Sequence, residues 1–279
     1  NWGRPLTLND SLQRAQTLGL ARIDAQLLHL HALGRDPTDR AWLLANDRET
    51  LPADVAERLE QSLQRRLAGE PLAYITGFKE FFGLKLQVDA RVLDPRPDTE
   101  TLVEWALELL PPESTARILD LGTGSGAVAL ALQSERPASQ VTAVDASADA
   151  LAVAQGNANR LHLPVKCVLS HWMSEVSGVF ELIVSNPPYV AEADPHLAAL
   201  THEPLQALTS GADGLHDLRQ IVAQAPSRLT PGGWLLLEHG WDQAEAVAQL
   251  LGEQGYAEVQ HRTDLAGHLR CTGGRRAAR

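Results

Sequence analysis

Arg117-Ile118-Leu119-Asp120-Leu121-Gly122-Thr123-Gly124-Ser125-Gly126 is the stretch on which the fold turns. Its first five residues read as a buried strand. Three alternate glycines follow, where the backbone must turn tightly and can come close to a ligand. Residues 126–135, rich in alanine and leucine, then continue as a helix. A second strand over residues 140–144 runs into Asp145, 21 positions after Gly124. A carboxylate at that strand end can accept both hydroxyls of a ribose. In open α/β sheets ligands lie outside the carboxyl ends of the strands, where these two elements meet.

The same alternation continues outward. A helix is expected at 147–161, strands at 165–169 and 180–185, a helix at 214–229, a strand at 234–238 and a helix at 241–254. Two last strands, near 256–262 and 268–273, have no long helix between them and read as an antiparallel edge hairpin. Alternation of this kind implies an α/β fold with a mostly parallel sheet covered on both faces.

Upstream the periodicity is helical. Thr7 with Asp10 forms a capping box ahead of Leu8, Leu12, Ala15 and Leu18. Ile23, Leu27, Leu28, Leu30 and Leu33 make a second stripe, and Val55, Leu59, Leu63 and Leu67 a third. Residues 1–75 are therefore expected to be a small helical bundle without a metal-ligand or nucleophile pattern, His29 and His31 included. Phe81-Phe82-Gly83-Leu84-Lys85-Leu86-Gln87-Val88 has strand character around a turn, so residues 76–95 read as a β-hairpin linker and 96–279 as the second domain. Asp94-Pro95-Arg96-Pro97-Asp98-Thr99-Glu100 is stiffened by two prolines, and Asp98 or Thr99 is expected to cap the helix that runs through Leu110.

Composition limits the partners. The 279 residues are 44% hydrophobic and 21% charged, the balance of a soluble globular protein. No apolar run approaches the roughly 18 residues needed to span a membrane, the N-terminus has no signal-peptide pattern, and two cysteines make no disulfide framework. A cytoplasmic monomer is expected, and Asn1 need not be the natural start. The net charge of −11 opposes stable binding to nucleic acid, because proteins that hold duplex DNA usually present a basic face. Arg65-Arg66 and Arg275-Arg276-Ala277-Ala278-Arg279 are short basic runs and read as solvated surface.

Two motifs carry chemistry. The glycine spacing Gly-x-Gly-x-Gly departs from the Gly-x-Gly-x-x-Gly of NAD-binding folds. Asp120, just ahead of it, suits a cationic amine. S-adenosyl-L-methionine, which has an amino-acid end and a sulfonium but no pyrophosphate, fits better. Asn186-Pro187-Pro188-Tyr189 follows the apolar run Leu182-Ile183-Val184 and should stand at a strand end. A side-chain amide, two ring-locked residues and an aromatic make a rigid polar ledge that can hold a planar –NH2 group. The Asn186 side-chain oxygen and the Pro187 carbonyl are expected to accept its two N–H bonds, with Tyr189 over its face.

With these motifs the chain resembles the class I S-adenosylmethionine methyltransferases that modify nitrogen. The Pro-Arg-Pro-Asp-Thr-Glu segment, Glu203-Pro204-Leu205-Gln206-Ala207-Leu208, Gly211-Ala212-Asp213-Gly214-Leu215 and Leu237-Glu238-His239-Gly240 narrow this. Together they resemble the peptide chain release factor N5-glutamine methyltransferases of the HemK/PrmC type. The resemblance implies a Rossmann-like seven-stranded sheet behind a small all-helical N-terminal domain. It implies methyl transfer to the glutamine of the Gly-Gly-Gln motif of class 1 release factors, with S-adenosyl-L-homocysteine as product. By the same resemblance Asp120, Gly122, Thr123, Gly124, Ser125, Gly126, Asp145 and Asn186 face the cofactor, and Trp172 lies near its adenine. Asn186, Pro187, Pro188 and Tyr189 hold the glutamine amide, and Arg96, Pro97 and Thr99 lie at the mouth of the site. The first 75 residues dock the partner.

The family's usual acidic residue before the aromatic is His171 here, Leu269 stands where a polar residue is usual, and the segment after Tyr189 is about two residues short. An adenine-N6 nucleic-acid methyltransferase, which would use the same ledge, is the alternative. It is opposed by the acidic balance and by the want of a basic target-recognition domain.

Overall fold

The computed structural model describes residues 5–278; Arg279, the last residue of the basic tail, lies outside them. The chain forms two compact units that divide between Gly77 and Phe78.

The first unit is helical. Helix α1 (Leu8–Thr17) starts on the capping box of Thr7 and Asp10. It is followed by α2 (Arg22–Ala32), α3 (Arg40–Ala45), α4 (Ala53–Leu67) and α5 (Leu72–Thr76). The three apolar stripes meet in one core, with Leu8, Leu28, Leu30, Leu59 and Leu63 almost fully buried. Helices α3 and α5, of six and five residues, are too short to show a period, yet each adds a residue to that core, Leu43 and Ile75. His29 is wholly buried and satisfied, its Nδ1 2.6 Å from the Ala25 carbonyl and its Nε2 2.8 Å from Ser11 Oγ.

The second unit begins with the hairpin of β1 (Phe78–Phe81) and β2 (Leu84–Gln87), then α6 (Glu100–Leu109). After it come β3 (Arg117–Leu121), α7 (Ala127–Glu135), β4 (Gln140–Asp145), α8 (Ala148–Leu161), β5 (Lys166–Leu169) and β6 (Phe180–Ser185). The chain ends with α9 (His216–Gln224), β7 (Leu229–Glu238), α10 (Ala244–Glu253), β8 (Ala257–Thr263) and β9 (Leu269–Arg275). Seven strands form one sheet in the order β5-β4-β3-β6-β7-β9-β8. The first five are parallel; β9 runs antiparallel to both β7 and β8, the expected hairpin. Its inner strands are continuous apolar runs because both faces are covered. Leu119, Leu121, Ile183, Leu235 and Leu237 pack with Leu218 and Ile221 of α9 and Val247 and Leu251 of α10.

Strand order reverses between β3 and β6, and this opens a crevice above their carboxyl ends. Two expectations are corrected. Strand β7 starts at Leu229, not 234, because Leu229 pairs with Phe180 and the Gly232 N–H donates to the Arg276 carbonyl, which carries the strand through Pro231 and Gly232. Neither Asp98 nor Thr99 caps α6 with its side chain. A 3-10 turn over Pro97–Thr99 leads into that helix, and both side chains are used elsewhere.

Candidate active site

The crevice is a cleft of about 470 Å³. One wall is the turn after β3. Gly122 has φ +70°, and a Cβ there would come within 3.3 Å of the Trp172 ring. Only glycine gives both the left-handed backbone and the room. The loop is then fixed by hydrogen bonds to the strands below. The Thr123 N–H donates to the Val144 carbonyl at 2.8 Å, and the Gly124 N–H to Asp145 Oδ2 at 2.9 Å. Asp145 Oδ1 accepts from the Ser147 N–H at 2.9 Å. Both carboxylate oxygens are thus oriented while keeping lone pairs for the cleft, and burial raises this carboxyl's pKa. Asp120 is 2% exposed, and its Oδ2 accepts from Thr123 Oγ1 and the Ala129 N–H. Desolvation raises it to about 7 against those donors.

Trp172 closes the far side. Its backbone is left-handed (φ +47°), and its Nε1–H reaches Asp217 Oδ1 at 3.2 Å and Gln220 Oε1 at 3.1 Å. The ring is therefore bolted to α9, with Gly122 against it. His171 is exposed and lines the cleft beside it. Asn157, which no local pattern singles out, ties this wall to the hairpin. It is fully buried; its Nδ2 donates to the Ser125 and Gln87 carbonyls, and its Oδ1 accepts from the Gln87 N–H.

The opposite wall stands on β6. Ser185 Oγ donates to the Leu121 carbonyl at 2.6 Å, which locks β6 to β3 immediately before the ledge. Asn186 follows. Its Nδ2 donates to Thr99 Oγ1 at 3.4 Å, while its Oδ1 is buried and has no donor among the described residues. A buried acceptor without a donor costs roughly 1–3 kcal/mol. Tyr189 turns inward: its hydroxyl donates to Glu238 Oε2 at 3.3 Å and its carbonyl accepts from Gln243 Nε2 at 2.9 Å. Gly214 touches that same carbonyl, at 2.3 Å from where a Cβ would be.

Beneath the ledge lies a charged network. Glu238, 1% exposed, is pushed up to about 7 by burial, against the hydroxyls of Thr99 and Tyr189 and the Arg270 guanidinium, which favour its charge. Arg270 pairs with Asp264 at 3.2 Å and Asp98 at 3.5 Å. At the mouth, Arg96 pairs with Glu203, and Glu203 Oε2 accepts from the Asp94 N–H at 3.2 Å. The two distant motifs that begin at Asp94 and Glu203 are thereby clamped together.

Of the residues singled out from the sequence, Asp120, Gly122, Thr123, Gly124, Ser125, Asp145, Trp172 and Asn186 line the cleft, with Pro188, Arg96 and Thr99. Gly126, Pro97, Pro187 and Tyr189 lie outside its lining. Sequence reasoning missed Asn157, Asp217, Glu203 and Arg270 as structural partners of the site. Glu203 and Glu238 were visible only as letters within family motifs.

The fold and cleft define a methyltransferase. Residues 99–254, more than half of the chain, match the methyltransferase small domain family, and residues 8–77 match the PrmC N-terminal domain. Solved structures agree on the fold. A methyltransferase from Pyrococcus furiosus has TM-score 0.57 at 18% identity, covering 78% of this chain and 99% of its own. A T. thermophilus 16S rRNA N2 G1207 methyltransferase, solved with AdoMet and guanosine, has TM-score 0.54 at 20% identity over 71% of this chain and 49% of its own. Sequence relatives narrow the class. Release factor glutamine methyltransferase of Bordetella pertussis is 49% identical over 260 residues, 92% of this chain and 95% of that protein. The protein of the same name in Escherichia coli is 44% identical over 272 residues, 96% and 97% of the two chains. The chain belongs to the release factor glutamine methyltransferase family.

Proposed function

We propose that this enzyme moves a methyl group from S-adenosyl-L-methionine to the N5 amide nitrogen of the glutamine in the Gly-Gly-Gln motif of class 1 peptide chain release factors, leaving S-adenosyl-L-homocysteine. The observation that carries the reading is Asn186 Oδ1: a buried acceptor at the end of β6, in a residue that lines the cleft, with no donor of its own. A primary amide brings the missing donor.

The cleft suits the methyl donor. Asp145 offers oriented carboxylate oxygens at the end of β4, Trp172 and Gly122 form a flat apolar slot, and the backbone of Thr123, Gly124 and Ser125 lines the space between. When bound, S-adenosylmethionine supplies an electrophilic methyl on a sulfonium. The chain's own residues then have to align and dehydrate. An amide nitrogen is a poor nucleophile because its lone pair is delocalised. Asn186 Oδ1 and the Pro187 carbonyl take its two N–H bonds and aim it. The Pro187 ring fixes φ and the following Pro188 restricts ψ of residue 187, so together they set the carbonyl's direction. Tyr189 lies outside the cleft lining in this structure and is anchored at Glu238, from where it supports the ledge. Positioning of this kind is worth roughly 7–11 kcal/mol. The methylated amide is acidic and loses its proton afterwards, so no strong base is required.

In this reading residues 1–75 dock the release factor, residues 76–95 link, residues 96–279 catalyse, and the protein works as a cytoplasmic monomer. Among the described residues no helix is long and apolar enough to cross a membrane. The adenine-N6 alternative is disfavoured by charge. The net charge is −11, and cations of both basic runs are already paired: Arg65 with Glu70, Arg66 with Asp24 and Arg275 with Glu258. A methyl-transfer assay that offers a release factor and duplex DNA together tests the choice: label on the factor alone supports it, and label on the DNA contradicts it.

A further inference from the structure

We propose that Gln243 is a positioning residue for methyl transfer: its side-chain amide clamps the back of the Asn186–Tyr189 ledge to the carboxyl end of β7. The inference rests on the amide-holding role of Asn186 given above. Gln243 stands at the N-terminus of α10, 54 positions beyond Tyr189, and lies outside the cleft lining. Its Nε2 donates to the Tyr189 carbonyl at 2.9 Å, and its Oε1 accepts from the Gly240 N–H at 2.7 Å. The Gln243 N–H in turn donates to the Gly240 carbonyl at 3.0 Å. His239, whose ring is wholly buried, holds the same carbonyl oxygen from Nδ1 at 2.8 Å. The β7 end of the clamp is therefore fixed from two sides.

The two partners dictate the chemistry of the bridge. A backbone N–H only donates and a backbone carbonyl only accepts. A side chain that joins them must accept at one end and donate at the other, as a primary amide does. The same rule fixes which end of the Gln243 amide faces which partner. A glutamate has the same shape, but when ionised it only accepts, and it would set an oxygen against the Tyr189 carbonyl. Gly214 makes room for the bond. Its φ is +77°, and a Cβ there would stand 2.3 Å from the Tyr189 carbonyl oxygen and 3.0 Å from Gln243 Nε2.

The clamp reaches the reacting group because the ledge is stiff. Both prolines have ring-locked φ, and Pro188 restricts ψ of residue 187 as well. A stiff segment is aimed by its ends. The front end is Ser185, whose Oγ donates to the Leu121 carbonyl at 2.6 Å. The back end is Tyr189. Beyond it the Val190 N–H donates to the Leu208 carbonyl and the Ser210 N–H to the Val190 carbonyl, both at 2.9 Å. Those bonds tie the ledge to another connecting segment, whereas Gln243 ties it to the end of a sheet strand. Without that tie Asn186 and the Pro187 carbonyl keep their chemistry and lose their aim.

The test is methyl transfer by the full chain to a class 1 release factor, in steady state and in single turnover, with Gln243→Glu and Gln243→Met. Glutamate turns the bond to Tyr189 into a repulsion, and methionine keeps the length but makes neither bond. The expected result is a kcat and a single-turnover rate constant lowered roughly ten- to hundredfold by Gln243→Glu, and lowered less by Gln243→Met. KM for the release factor and cofactor affinity by calorimetry should be unchanged. A residue that served stability alone would lower the single-turnover amplitude, through the folded fraction, and leave the rate constant as it was. If Gln243→Glu fails to fold, the rate constant of Gln243→Met decides. An unchanged rate constant, or a loss that appears in KM or in cofactor affinity instead, would overturn the inference. Failure of the underlying reading shows separately, as full activity in Asn186→Ala.

Discussion

The two walls of the cleft are built in opposite ways. The glycine wall is local and internally satisfied. A strand, a turn, a helix and the next strand end, all between residues 117 and 147, make it, and each carboxylate at its base has donors in the chain: Thr123 and Ala129 for Asp120, Gly124 and Ser147 for Asp145. The ledge wall is assembled from segments far apart in sequence, around residues 99, 186, 238 and 270, and it leaves two buried acceptors, Asn186 Oδ1 and Glu238 Oε1, without donors. The first wall is a rigid receptor. The second is balanced around a group that has to come from outside, and unsatisfied buried groups are where proteins keep function rather than stability.

The sharpest way to break this contrast is Asn186→Ala. It removes the donor-free acceptor of the second wall and nothing from the first. Methyl transfer in single turnover should fall roughly 10²–10³-fold or more, with the cofactor dissociation constant unchanged. A parallel loss of cofactor binding would mean that the walls are not separable. The reverse probe is Asp145→Ala, which should weaken cofactor binding by calorimetry about 10- to 100-fold, the worth of one or two charged hydrogen bonds. Transfer at saturating cofactor should be affected less.

Gly214→Ala sharpens the comparison from behind the ledge. At φ +77° and 2.3 Å from the Tyr189 carbonyl, a methyl group there must push Tyr189 aside. The variant should lose about 1–3 kcal/mol of stability in denaturant melts and should lower kcat without weakening cofactor binding. The smallest effect concerns pH. Glu238 titrates near 4.5 when unfolded and near 7 when buried in the fold, so the folded state holds the extra proton between those values. Its contribution to stability is fully present below about 4.5 and lost as pH rises through about 7. Glu238→Gln should flatten the fall in melting temperature over that range; an unchanged slope would place the titration elsewhere.

The contrast also explains what could be read from sequence. The glycine wall was legible because its signal is contiguous: apolar strand, glycine turn, apolar helix and an aspartate at the next strand end. The helical stripes of the first unit were legible for the same reason, whereas α3 and α5 were too short to repeat. Asn186 was legible because Leu182-Ile183-Val184 placed it at a strand end and its chemistry is unusual there. Its supports were not. Thr99 lies 87 positions away from Asn186 and Glu203 lies 107 away from Arg96. Nothing local distinguishes Arg270 or Asn157 from surface polar residues. A helix cap is the sound local reading of Thr99, yet tertiary structure overrides it, and its hydroxyl oxygen accepts from Asn186 Nδ2 instead. The expected start of β7 at 234 falls short for a similar reason: the pairing of Leu229 with Phe180 and of the Gly232 N–H with the Arg276 carbonyl carries the strand through Pro231 and Gly232.

The most direct measurement is mass spectrometry of a class 1 release factor after incubation with S-adenosylmethionine and either the wild-type enzyme or Asn186→Ala. One added methyl group on the Gly-Gly-Gln glutamine with the wild type, and none with the variant, is the expected result. An unmethylated glutamine with active wild-type enzyme, or equal methylation by both proteins, would contradict the amide-holding ledge.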